Sequence, residues 1–163
     1  MRVASVGCAS DRIPDVLQEP ERTAQPTHNH PEGSKGAQAT ALAVYMARTG
    51  AGRESIRKET AGRFGYDLDR TLEEVRPSYR LDVSRQGTVP EALISFLDAS
   101  SYEDAGRNAV SRGGDSDALA CIAGGIAQAF YEEIPAAIRH KARRRLPSDL
   151  LDVADRFEAR YGF

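Results

Sequence analysis

The sequence predicts an all-α protein, a compact helical domain. Three observations lead there: two long apolar stretches with helical spacing, a series of capping signals that open and close further helices, and no βαβ pattern or internal repeat. With 163 residues the chain has the length of one ordinary domain, so residues 1–163 are expected to bury one core without disulfide staples.

Taken in order, Met1 to Gly7 carries no helix cap and reads like the interior of a folded segment. The clearest helix runs from about Lys35 to Thr49, where Ala and Leu dominate nearly all faces and Gly50 supplies a stop; a helix this apolar all round belongs in a core. A shorter helix is expected over Arg53 to Phe64, ending near Gly65, and the stretch from Tyr66 to Arg85 lacks a helical period and is expected to be extended or looped. Thr88-Val89-Pro90-Glu91 combines a capping Thr, an early Pro and a Glu three residues on, opening a helix through Leu97. Ser101 to Asp104 repeats that logic, and the helix it opens stops at Gly113-Gly114, with Gly106 inside it costing about 1 kcal/mol relative to Ala. From Ser116 to Tyr131 a wide stripe of Leu119, Ile122, Ala123, Ile126, Ala127 and Phe130 marks a second core helix, in which Gly124-Gly125 lets a neighbour come close. Final helices begin near Pro135 and near Ser148.

Lys and Arg number 22 against 24 Asp and Glu, so the formal charge of -2 makes no case for nucleic acid or an anionic membrane as partner. Two cysteines form no disulfide framework: Cys121 falls in an apolar helical stretch where packing is expected, and a reducing cytoplasm fits best. No segment has the form of a signal peptide or approaches the ~20 apolar residues of a membrane span.

Asp115 and Asp117 are the strongest candidates for chemistry. Two short carboxylates one residue apart at a helix start both reach the space above its first turn, where a hard cation such as Mg²⁺ takes oxygen ligands. The competing explanation is that Asp115 caps the helix and Asp117 favours its positive end. Thr27-His28-Asn29-His30-Pro31-Glu32-Gly33 is a second candidate, a polar loop before a buried helix whose imidazoles contact a ligand or simply hydrogen-bond locally. The basic run from His140 to Arg145 has no interleaved aromatic residue and reads as a solvated helix end.

Three blocks, THNHPEGSKGAQATALAVYMARTG, TVPEALISFLDAS and NAVSRGGDSDALACIAGGIAQAFY, stand in an order that resembles the ADP-ribosylglycohydrolases of the dinitrogenase-reductase-activating type. The resemblance covers essentially the whole chain and favours the metal alternative for Asp115 and Asp117. It implies the C-terminal part of an all-helical fold with a two-metal Mg²⁺ or Mn²⁺ centre, which binds ADP-ribose and assists water in cleaving its bond to an acceptor. Carried over by position, Asp115 and Asp117 match two aspartate metal ligands, His28 matches a histidine that contacts ADP-ribose, and Val83 sits where the family lines its substrate pocket. Two departures follow from the same comparison. The family's motif continues with Thr or Ser, which also binds metal, but this chain has Ala118, and a methyl group donates no oxygen. The family's Thr-Asp-Asp turn and Gly-Asn-Gly loop, which supply the other ligands and hold the diphosphate, are not among these residues.

The expectations that follow are an ADP-ribosyl hydrolase activity completed by a partner chain or by further protein, with an ADP-ribosylated protein as substrate; a degenerate ADP-ribose-binding protein; or a truncated relic whose exposed apolar faces favour self-association. The chain by itself is expected to be weakly active or inactive.

Overall fold

The computed structural model describes residues 2–27, 29–71 and 87–162 of the chain. Its described residues form nine α-helices and no strand: α1 (Ala4–Ala9), α2 (Ile13–Ala24), α3 (Pro31–Arg48), α4 (Arg53–Phe64), α5 (Thr88–Leu97), α6 (Tyr102–Ser111), α7 (Ser116–Tyr131), α8 (Ala136–Arg143) and α9 (Ser148–Tyr161). The expected all-α class is therefore found. None of these helices is long and apolar enough to cross a membrane.

The centre of the molecule is α3. Every residue from Ala39 to Val44 is buried, so the helix has no solvent face over that span, and it packs against α1, α2, α4 and α7. It begins at Pro31, four residues before the expected Lys35. His30 acts as its N-cap, its Nδ1 accepting a hydrogen bond from the backbone N–H of Glu32 at 3.2 Å, and Pro31 occupies the first turn, where a missing N–H costs nothing. The second core helix, α7, packs on α3, α5 and α6 through Leu119, Ile122, Ala123, Ile126 and Ala127. Cys121 lies opposite that stripe and is exposed, so the packing role expected for it is not found. Phe96 of α5 is fully buried and meets Phe130 edge to face at 5.4 Å.

Helices α1 and α2 carried no clear sequence signal. In α2, Val16, Pro20 and Ala24 fall four residues apart and form its buried stripe, although Pro20 removes one intrahelical hydrogen bond. α4 matches its expected bounds, with Ile56, Thr60 and Phe64 buried and Gly65 closing it in the left-handed conformation at φ 66°. The cap of α6 is also as expected: Ser101 accepts from the N–H of Asp104 at 3.1 Å. Asp104 in turn accepts from the backbone N–H and hydroxyl of Ser100, which holds its carboxyl below the usual range. Thr88 is the first residue of α5 and not its cap, a position taken by Gly87. The stretch expected to be extended or looped is non-helical over residues 66–71; its remainder lies outside the described residues.

Neither α8 nor α9 contributes a buried residue. They are joined by ion pairs of Arg139 with Glu158 and Arg143 with Asp155, so part of the basic run engages a neighbouring helix and not solvent alone.

Two glycines give opposite predictions. A Cβ on Gly7 would stand 2.5 Å from the carbonyl oxygen of Ala41 and 2.8 Å from Cβ of Val44, so Gly7→Ala forces α1 off α3 and should cost about 1–3 kcal/mol. A Cβ on Gly106 meets nothing within 4 Å, so Gly106→Ala inside α6 should stabilise by about 0.5–1 kcal/mol. Denaturant melts of the two variants check both signs. Thiol labelling gives a third test. Burial pushes the Cys8 thiol up to about 11, leaving on the order of 0.1% thiolate at pH 8, so a thiolate-selective reagent should modify exposed Cys121 and spare Cys8 until the protein is denatured.

Candidate functional site

The turn between α6 and α7 begins with two consecutive left-handed glycines, Gly113 at φ 75° and Gly114 at φ 62°. Nothing lies within 4 Å of a Cβ built on Gly113, so glycine is required there for conformation and not for space. The turn is tied back by the N–H of Gly113 to the carbonyl of Val110 at 3.2 Å, and by the N–H of Ser116 to the carbonyl of Gly114 at 2.9 Å. It delivers Asp115 to the N-cap position of α7 and Asp117 to its first turn.

The simple capping explanation for Asp115 fails on geometry. Asp115 occupies the cap position, and its carbonyl accepts from the N–H of Leu119 at 3.1 Å, but its side chain makes no capping hydrogen bond. The carboxyl instead lies beside that of Asp117. This contact, followed by the backbone N–H groups of Ala118 and of Asp117 itself, holds the Asp117 carboxyl below the usual carboxylate range. Two carboxyl groups this close can take part in holding one cation. As a hard-cation site the donor set fits in part: two carboxylate ligands, a methyl group at Ala118, and no cluster of three or more His, Cys, Asp or Glu among the described residues.

Asp115 and Ala118 open onto a cleft of ≈ 550 Å³ whose opposite wall is the first half of α3, with Glu32, Gly33, Gly36 and Thr40, and whose side is the start of α5, Thr88 and Val89. Gly36 is needed for this closeness, since a Cβ there would sit 3.0 Å from Cγ2 of Val89. Thr40 is buried and turns its hydroxyl back to the carbonyl of Gly36 at 2.9 Å, so it presents no free donor to the cleft. Arg2 lines the mouth, hydrogen-bonded to Oγ1 of Thr27 at 2.5 Å and to the carbonyl of Thr23 at 3.3 Å. Glu32 pairs with Lys35 at 3.4 Å.

The structure thus brings Asp115 and Asp117 together and places Asp115 on the lining of a cleft it shares with the start of α3. His28 and Val83 lie outside the described residues. His30 serves the backbone of α3 as its cap. Arg2 had no signal in the sequence; Glu32 was named there only as part of the polar loop, and the structure places it in the first turn of α3.

An all-helical frame thus carries paired aspartates at the head of α7, with Asp115 on the lining of the cleft. The sequence profile of the ADP-ribosylglycohydrolases matches residues 1–162, and the chain belongs to that family. It is 26% identical to the human ADP-ribosylhydrolase ARH3, over 93% of this chain and 54% of that protein, so the chain spans about half the length of the curated relative it matches.

The contact between the two aspartates has a direct test. Followed by carbon-detected NMR, Asp115→Ala should raise the titration midpoint of Asp117 toward the ordinary 3.8, while Asp115→Asn, which keeps a donor, should leave it low. A midpoint that stays low in the Ala variant contradicts the contact.

Proposed function

We propose that this protein takes part in hydrolysing the bond between ADP-ribose and an acceptor, with Asp115 and Asp117 as two ligands to a Mg²⁺ or Mn²⁺ ion. The observation that carries the proposal is the adjacent pair of carboxyls at the start of α7, of which Asp115 lines the ≈ 550 Å³ cleft, in a chain whose family is that of the ADP-ribosylglycohydrolases. When bound, such an ion supplies positive charge that orients ribose hydroxyls and favours attack by water. Asp115 and Asp117 would hold it. The cleft between α3, α5 and α7 would take the ADP-ribose, with His28 and Val83 contacting it as the family resemblance implies. Its partners would be ADP-ribose or an ADP-ribosylated protein in a reducing cytoplasm.

Two carboxylates fill only part of an octahedral shell. We propose that the remaining ligands are water or groups on protein outside these 163 residues, carried by the same polypeptide or a partner chain. Ala118 favours a second reading, in which the site has lost catalysis and retains ADP-ribose binding.

The readings separate in one set of measurements. Release of ADP-ribose from a modified protein at saturating Mg²⁺ should be weak or absent for the chain alone, and any trace should vanish in Asp115→Ala/Asp117→Ala; turnover that survives the double replacement contradicts the assignment. Calorimetric titration of ADP-ribose should show Mg²⁺-dependent binding on the hydrolase reading and metal-independent binding on the degenerate one. Restoring an oxygen ligand by Ala118→Thr should tighten Mn²⁺ binding several-fold, on the order of 1 kcal/mol, and an unchanged affinity would show that this position does not face the ion.

A further inference from the structure

Among the described residues that line the ≈ 550 Å³ cleft, Arg2 is the one cation, against two acids, Glu32 and Asp115. The acids stand on other elements. Glu32 is in the first turn of α3, where Lys35 pairs with it at 3.4 Å, and Asp115 is at the head of α7. A ligand that carries negative charge is therefore repelled by Asp115 and only partly shielded from Glu32, and it finds a single side chain in the lining that attracts it.

Arg2 is exposed, yet it is set in place from two sides. Val3, the next residue, is buried and lines the same cleft. The helix that follows, α1, is fitted to both core helices, with Gly7 against Ala41 and Val44 of α3 and Ala4 against Gly125 of α7. From the other side the guanidinium reaches the end of α2, where Nη2 donates to the carbonyl of Thr23 at 3.3 Å and to Oγ1 of Thr27 at 2.5 Å. Both bonds come from one nitrogen. A guanidinium has donors on all three of its nitrogens, and those on Nε and Nη1 meet no acceptor among the described residues. A cation serving only the negative end of α2 needs charge and no fork, so Arg2 has more donor capacity than that role uses.

We propose that Arg2 binds the anionic part of the ligand in the cleft, the diphosphate of ADP-ribose, through these remaining donors. The inference rests on the reading of the cleft as an ADP-ribose site. Arginine suits the task because its fork can bond two phosphate oxygens at once and stays charged at any physiological pH. Losing hydrogen bonds of this charge-assisted kind weakens binding about 10- to 100-fold.

The test is calorimetric titration of the whole chain with ADP-ribose at fixed Mg²⁺ and several NaCl concentrations, for the wild type, Arg2→Gln and Arg2→Lys. Arg2→Gln should bind about tenfold more weakly or worse, and its affinity should fall less with salt than that of the wild type, because a screened attraction has been removed. Arg2→Lys should lose less affinity and keep the wild-type salt dependence. Unchanged affinity in Arg2→Gln overturns the inference. So does a weakened affinity with the wild-type salt dependence, which a merely structural role in holding Thr27 would produce, and either result leaves the reading of the cleft standing. If the wild-type chain binds no ADP-ribose, the reading of the cleft fails and the inference falls with it.

Discussion

The closeness of α3 to its neighbours is the constraint on which the rest depends. Between Ala39 and Val44 the helix has no solvent face, and small residues let neighbouring helices approach it. Gly7 brings α1 against the backbone of Ala41, Gly36 admits Val89 from α5, and Gly125 of α7 would place a Cβ 3.2 Å from that of Ala4. Larger side chains at these points would move the helices apart and open the cleft wall. The alanine-rich central helix is thus a packing device first, and it shapes the cleft, which is the space left between the helices so packed.

The site is built on the ends of helices and not along them. α3 begins at the cleft with a histidine cap, α5 begins beside it, and α7 begins with the two aspartates. Helix starts present unpaired N–H groups and a partial positive charge, which lowers the cost of gathering carboxylates. The left-handed glycines turn the chain sharply enough for α7 to start beside α5, and Arg112, the residue before the turn, forms a buried ion pair with Glu91 of α5.

Much of the frame was legible in the sequence because local signals and tertiary packing agreed. Arg53 to Phe64 with its Gly65 stop, the Ser101 cap and the stripe of the α7 helix all depend on neighbours within a turn or two. What escaped depended on distant contacts. α1 has no side-chain cap and is held by the fit of Gly7 on α3; α2 carries an internal proline that argues against a helix, and is retained because Val16, Pro20 and Ala24 are buried. The start of α3 was missed because histidine is an uncommon cap. Cys121 was placed in the core because the stripe around it is broad, yet it points away from that stripe. For the site, the aspartate pair was legible as a motif but its choice between cap and ligand was not, because that depends on where the Asp115 side chain turns. The Glu91–Arg112 pair joins residues 21 positions apart and left no local trace.

The central claim is that Asp115 and Asp117 converge on one cation at the edge of the cleft. Anomalous diffraction from crystals grown with Mn²⁺ tests it most directly. The account predicts a single peak bridged by the carboxylates of both residues, on the cleft side of the Gly113-Gly114 turn. A peak bound elsewhere, or crystals soaked at high Mn²⁺ concentration with no peak at this turn, would contradict it.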